Sequence, residues 1–241
     1  MEKGYNSVKG PDTEVVVATL NKGLSELEQL SYPGLRFLND RQILKEVIDA
    51  SKKDFDAILI TCYLDPALMA ARQMVSVPVV GMSEASMHLA SLMGNSFAIV
   101  TSDPAYIPEM EENIKKYGMV EQAVCQRPVR STPFSSAEFM NYLLGDHTPL
   151  LDSFKKIAAD FIEDGADVVI AGCGLLSAIL THNGITEIDG VPVMDPVLTG
   201  IKFAEFMAGI KKSGLPFISR KLLYSKPSDQ EIGDVLSRCF S

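Results

Sequence analysis

The residues with most chemistry in this 241-residue chain are four cysteines, Cys62, Cys125, Cys173 and Cys239. They lie far apart and form no C-x-x-C pair, so neither a zinc ribbon nor a dithiol redox motif is indicated. Two of them share their surroundings. Asp56-Ala-Ile-Leu-Ile-Thr-Cys62 and Asp167-Val-Val-Ile-Ala-Gly-Cys173 each set an Asp six residues before the Cys, with an apolar run between. Val77-Pro78 then follows Cys62 by 77 − 62 = 15 residues, and Val191-Pro192 follows Cys173 by 191 − 173 = 18. One cysteine per copy of a repeat points to one cleft with a thiol on either side. Such a pair suits stereoinversion: a thiolate removes an α-proton from one face of a carbon and a thiol returns a proton to the other. Backbone N–H groups would hold the enolate-like intermediate, so the chemistry needs no cofactor. One thiol must be ionised and the other not, so the pair would titrate as a coupled system.

Core packing is the ordinary fate of a free cysteine; the duplication is what sets Cys62 and Cys173 apart. Cys125 has no counterpart and is expected in the core, and Cys239 is expected as an exposed thiol. A metal held by the two repeat cysteines and a His has the right atoms but no ligand spacing, so no metal site is expected.

The elements that must position these thiols are legible as an alternation. Continuous apolar runs at Val15–Leu20, Ala57–Thr61, Val77–Val80, Phe97–Thr101, Val168–Ala171 and Val191–Met194 predict strands covered by helices on both faces. Amphipathic stretches at Arg41–Lys52, Pro66–Met74, Ser83–Met93, Ile107–Tyr117, Ser153–Asp164 and Val197–Lys211 predict the helices. The expected fold is α/β, with two pseudosymmetric lobes, each a mostly parallel sheet flanked by helices, and the active site in the cleft between them. Lobe one is expected over residues 1–95, lobe two over 96–212, and a C-terminal tail over 213–241. Cys62 and Cys173 then stand at the carboxyl ends of equivalent strands, followed by backbone that can open a helix and bind an anion.

Phe97–Thr101 ends 173 − 101 = 72 residues before Cys173, and 72 residues before Cys62 lies ahead of Met1. Lobe one is therefore expected to lack the counterpart of that strand.

Composition excludes several classes. With 22 Lys+Arg against 31 Asp+Glu, a net charge of −9 and no basic block, nucleic acid is not an expected partner. The uncharged runs at 85–102 and 168–186 are interrupted by glycine and polar residues, so no membrane span is expected. The N-terminus has no apolar signal segment, and free thiols suit a reducing cytoplasm. A small-molecule substrate and a homo-oligomer are the expected partners.

Glu84, near the start of a predicted helix, either points into the cleft or pairs with His88 four residues on. Asp195, in the corresponding turn before Pro196, either lines the cleft or caps the next helix. His147 and His182 are expected in solvent-facing loops. Residues 126–148, rich in Ser, Thr and Pro, read as a lid or a connector.

The segments DAILITCYLDPAL, VPVVGMSEASMHLASLMGNSFAIVTS, GADVVIAGCGLLS and VPVMDPVLTGIKFAEFMAG together resemble the aspartate/glutamate/hydantoin racemase superfamily, and within it the hydantoin and allantoin racemase branch. The resemblance implies cofactor-independent racemisation at a carbon next to a carbonyl. It implies catalytic roles for Cys62 and Cys173, and substrate binding at Tyr63, Gly174, Thr101 and Ser102. Arylmalonate decarboxylases of the superfamily keep only the second cysteine, so Cys62 speaks against that activity. Aspartate and glutamate racemases typically follow their cysteines with Asn or Thr; Tyr63 and Gly174 favour an apolar or ring substrate instead. Two other readings stand beside this one: a maleate-type cis–trans isomerase working through a cysteine adduct, and a non-catalytic small-molecule binding protein.

Overall fold

The structure is a computed structural model that describes residues 2–20, 22–124 and 126–240. Cys125, expected in the core, lies outside the described residues. The chain is α/β, with two parallel sheets flanked by helices.

Helix α1 (Glu2–Val8) leads through an irregular segment and a 3-10 turn (Leu27–Ser31) into α2 (Pro33–Ala50), which Pro33 opens from the first turn. Strand β1 (Ile58–Ile60), α3 (Leu68–Met74), β2 (Val79–Gly81) and α4 (Met82–Met93) follow. β1 and β2 pair in parallel, with Leu59 opposite Val80.

The second sheet is built from β3 (Phe97–Thr101), β4 (Val129–Ser131), β5 (Val168–Ala171), β6 (Glu187–Ile188) and β7 (Val191–Met194), in the order β4-β3-β5-β7-β6. All neighbours are parallel except β6 with β7. Its helices are α5 (Ile107–Lys116), α6 (Ser136–Leu144), α7 (Thr148–Glu163), α8 (Gly174–His182) and α9 (Pro196–Lys212); α10 (Asp229–Cys239) closes the chain.

Phe97, Phe139, Phe154 and Phe161 are fully buried around this sheet. Each contributes about 2–3 kcal/mol by burial alone. Residues 126–148 form β4 and α6 rather than a plain connector or a free lid.

The expected strand at Val15–Leu20 does not form; Val16 and Val17 are more than half exposed. The reason is visible in the second sheet, where β3 lies between β4 and β5 and bonds to both. Among the described residues nothing occupies the matching place beside β1, so Val15–Leu20 has no ladder to join. The strand expected around Val124 is reduced to an isolated bridge between Phe97 and Ala123, and the ladder forms at Val129–Ser131.

Two helices join the sheets. α4 packs on β3 and β5, α9 packs on β1 and β2, and the two helices pack on each other. The repeat's aspartates anchor their far ends. Asp167 accepts a hydrogen bond from the Asn95 N–H at 2.9 Å, just past α4, and Asp56 pairs with Lys212 Nζ at 2.7 Å, at the end of α9. Each half of the chain thus fastens the helix that follows the other half's Val-Pro strand.

Candidate active site

Cys62 follows β1 and Cys173 follows β5, both at the carboxyl end of a parallel strand. Their loops meet. A Cβ placed on Gly174 would lie 3.7 Å from the Thr61 carbonyl oxygen, so the residue after one cysteine touches the residue before the other. Both thiols are half-buried, Cys62 against the core that contains Tyr63 and Met82, Cys173 against the core behind the second sheet. Burial pushes the Cys62 thiol up to about 12; the Leu64 N–H opposes the rise, and negative charge at Asp65, Cys173 and Asp40 adds to it. Cys173 is the residue before α8, and its carbonyl accepts the Ser177 N–H at 2.8 Å. The free N–H groups of that helix start favour negative charge on a nearby ligand.

The two cysteine loops differ in build. After Cys173 the chain enters α8 directly. After Cys62 it makes a tight turn, with the Asp65 N–H on the Cys62 carbonyl at 3.0 Å, and passes through Asp65 (φ +49°) and Ala67 (φ +56°). Both are left-handed conformations that non-glycine residues rarely adopt. The Asp65 carboxylate accepts the Ser83 N–H at 3.0 Å, the Glu84 N–H at 2.9 Å and the Tyr117 hydroxyl at 2.9 Å. It therefore caps the amino end of α4, where residue 81 is a glycine; a Cβ there would lie 2.5 Å from Asp65 Cγ. In the other half α9 is capped by its own Asp195, which accepts the N–H groups of Val197 at 2.9 Å and Leu198 at 3.1 Å and the Thr181 hydroxyl at 2.7 Å. Both helices thus end on a carboxylate that also takes one O–H donor. Burial, with help from the Glu84 charge, raises Asp65 from 3.8 to about 6 in spite of its donors. Asp40 on α2 is raised to about 6 by burial and by Glu109, with Arg36 opposing.

The remaining expected site residues fall in different surroundings. Gly174 and Asp195 line a cavity of about 590 Å³ that Tyr5 and Ser7 of α1, Ser177 and Thr181 also border. Neither cysteine is among its lining residues; it begins at the residue after Cys173. Burial and the Asp195 charge raise the Tyr5 phenol above its usual range. Thr101 and Ser102 are buried at the carboxyl end of β3. The β3–β5 register, Val100 opposite Ala171, sets Thr101 level with Gly172. The Thr101 hydroxyl is buried without a hydrogen-bond partner. Tyr63 is buried, with its hydroxyl 3.3 Å from Ser86 Oγ.

Glu84 forms a two-pronged pair with Arg72, one prong being Arg72 Nη1 to Oε1 at 3.0 Å, and it lines a separate cavity of about 330 Å³ near Phe203, Phe217 and Tyr224. Its carboxylate is thus paired with Arg72 rather than with His88, which lines the same cavity, while its backbone N–H joins Asp65 of the first cysteine loop. His182 ends α8 and His147 precedes α7, with His147 Nδ1 at 3.2 Å from Asn183 Nδ2. Among the described residues no group of three His, Cys, Asp or Glu side chains could hold a metal ion, and no helix is long and apolar enough to cross a membrane.

Reading the sequence missed Asp65 and Tyr117. The sole signal for Asp65 was an acid before Pro66, three residues after Cys62. Tyr5 and Asp40 carried no signal at all.

The structure thus brings the two cysteine loops together at strand ends, with the amino end of α8 directly after Cys173. Comparison with known proteins places the chain in a family. The profile of the family described as Asp/Glu/Hydantoin racemase matches residues 2–204. A hydantoin racemase from Pseudomonas sp. (strain NS671) is 28% identical over 236 residues, covering 96% of this chain and 87% of that protein. Among solved structures, an allantoin racemase from Klebsiella pneumoniae superposes with a TM-score of 0.78 at 22% identity, covering 94% of this chain and 86% of that one. An allantoin racemase from Pseudomonas fluorescens gives 0.75 at 24% identity, covering 93% and 89%. At these identities the two structures share the fold with this chain.

Proposed function

The chain belongs to the Asp/Glu/hydantoin racemase family and is an isomerase of the racemase type, and from that premise we propose that it inverts a carbon α to a carbonyl in a hydantoin-like or related amino-acid derivative, with Cys62 and Cys173 as its two proton-transfer groups. The observation that carries this reading is the meeting of the cysteine loops, Thr61 against Gly174, with each thiol at a strand end. Cys62, pushed by burial up to about 12, rests as the thiol. In one direction Cys173 takes the α-proton as thiolate and Cys62 gives its proton to the opposite face; in the other the roles exchange. The enolate-like charge falls on backbone N–H groups at the start of α8 and on the buried Thr101 hydroxyl, which has no other partner. The cavity beside Gly174 suits the group carried by the α-carbon, since Tyr5, Ala178, Val197 and Leu198 give it apolar walls. Protons leave and return, so the cycle needs no cofactor.

The test is α-deuterium exchange. A 5-substituted hydantoin incubated in D₂O should gain deuterium and racemise, and Cys62→Ser and Cys173→Ser should each abolish racemisation. Racemisation that survives in either variant refutes the two-thiol reading. A stoichiometric thiol adduct with maleate, seen by intact mass, would move the assignment to a cis–trans isomerase.

A further inference from the structure

We propose that Asp65 is the positioning residue of Cys62, fastening the loop that carries this thiol to helix α4 and to the end of α5. The loop departs from relaxed geometry twice within three residues, at Asp65 and Ala67, and so needs something to hold it. The Asp65 carboxylate supplies the hold through three donors from two directions: the Ser83 and Glu84 N–H groups and the Tyr117 hydroxyl. A fourth bond, Asn113 Nδ2 to the Leu64 carbonyl at 3.1 Å, fastens the same loop to α5.

The opposite half shows that capping alone does not require this. There the helix after the Val-Pro strand is capped by Asp195 from its own turn, and Cys173 sits on a regular helix start. In the first half the capping acid has moved from position 81 to position 65, so that the cap and the cysteine share one turn. The charged and titratable groups facing Asp65 are Cys62 and Tyr63 on its own loop, Glu84 on α4 with its partner Arg72, and Tyr117 after α5. With Asp65 ionised, its charge adds to burial in opposing thiolate at Cys62.

This inference rests on Cys62 being one of the two proton-transfer groups, but one arm of its test does not. Site-resolved alkylation of Cys62 and Cys173, followed by mass spectrometry across pH 6–10, should show the Cys62 profile displaced to lower pH in Asp65→Asn, with Cys173 moved less. In racemisation the same variant should lose about 10- to 100-fold in kcat with KM little changed, as expected when a reacting group is displaced slightly. Tyr117→Phe, which removes one donor and keeps the carboxylate, should lose about 2- to 10-fold; it carries the kinetic arm if Asp65→Asn does not fold, and Asp65→Ser then carries the alkylation arm. Cys62 alkylation profiles that superpose on wild type in the folded Asp65 variants overturn the proposal, whatever the substrate proves to be. An unchanged kcat in an active enzyme does the same. Absence of racemisation by the wild type would instead strike the functional reading and leave the alkylation result to stand.

Discussion

Asp65 is a carboxylate kept where it costs stability, and that cost is measurable. Burial and the Glu84 charge lift it from 3.8 to about 6, while the two α4 N–H groups and the Tyr117 hydroxyl pull the other way and lose. A carboxyl whose folded pKa lies above its unfolded value holds its proton more firmly in the fold. Its contribution is therefore fully present below the unfolded value and is lost as pH rises through the folded one. The gap is about two pH units, or about 3 kcal/mol. Urea unfolding of wild type and Asp65→Asn from pH 4 to 8 isolates this contribution. Asp49, Asp146 and Glu205, whose pKa values are lowered, favour the fold at higher pH instead, and they cancel in the difference because both proteins contain them. The stability of wild type relative to the variant should fall by about 2–2.5 kcal/mol between pH 4 and pH 7. A difference that is flat, or that grows with pH, refutes the reasoning, because it would mean that the three donors outweigh burial.

Thr101→Val should leave stability unchanged or raise it by about 1 kcal/mol, because it removes a buried hydroxyl with no partner, while kcat falls; a loss beyond about 1 kcal/mol in a thermal melt contradicts this. Asp195→Ala removes the α9 cap and the acceptor of Thr181, so unfolding should weaken by about 1–2 kcal/mol and KM should rise as the cavity wall changes. Gly94→Ala sets a methyl 2.4 Å from Asp167 Cβ and should cost about 1–3 kcal/mol in urea titration, through loss of the Asn95 contact and local crowding. Tyr32, Phe37 and Leu38 expose apolar side chains at the start of α2, and light scattering on the purified chain should report a mass above the 26.3 kDa monomer.

The strands that were legible in sequence are those whose own residues decide the matter. Phe97–Thr101 and Val168–Ala171 are apolar throughout because both faces are covered, and the structure returns them with the same limits. Val15–Leu20 has the same composition and forms no strand, since a ladder depends on a neighbour that composition does not encode. The placement of Cys62 and Cys173 after parallel strands was legible because the duplication repeats over a short span. Asp65 was not, because its partners stand 18, 19 and 52 residues away. Glu84 illustrates the opposite error: the local option, His88 one turn on, loses to Arg72 on another helix, whose planar fork matches a carboxylate.

The departure from symmetry at Gly81 bears on the proposal that one site serves both faces of a carbon. A pair of identical thiol environments would leave the two cysteines competing for the same ionisation, and neither would be assigned the proton at rest. The chain breaks the tie structurally. At position 195 the capping acid lies in the turn after β7 and bonds to Thr181 on α8, while at position 65 it lies three residues from Cys62, where its charge adds to the burial that raises that thiol. The same carboxylate function, moved by one turn of loop, therefore distinguishes the two halves of a duplicated sequence. The glycine at 81 is the steric condition for that move, since any side chain there would meet the Asp65 carboxylate. Restoring symmetry with Gly81→Asp should displace Asp65 from the α4 amino end and shift the Cys62 alkylation profile from that of wild type, even if α4 remains capped.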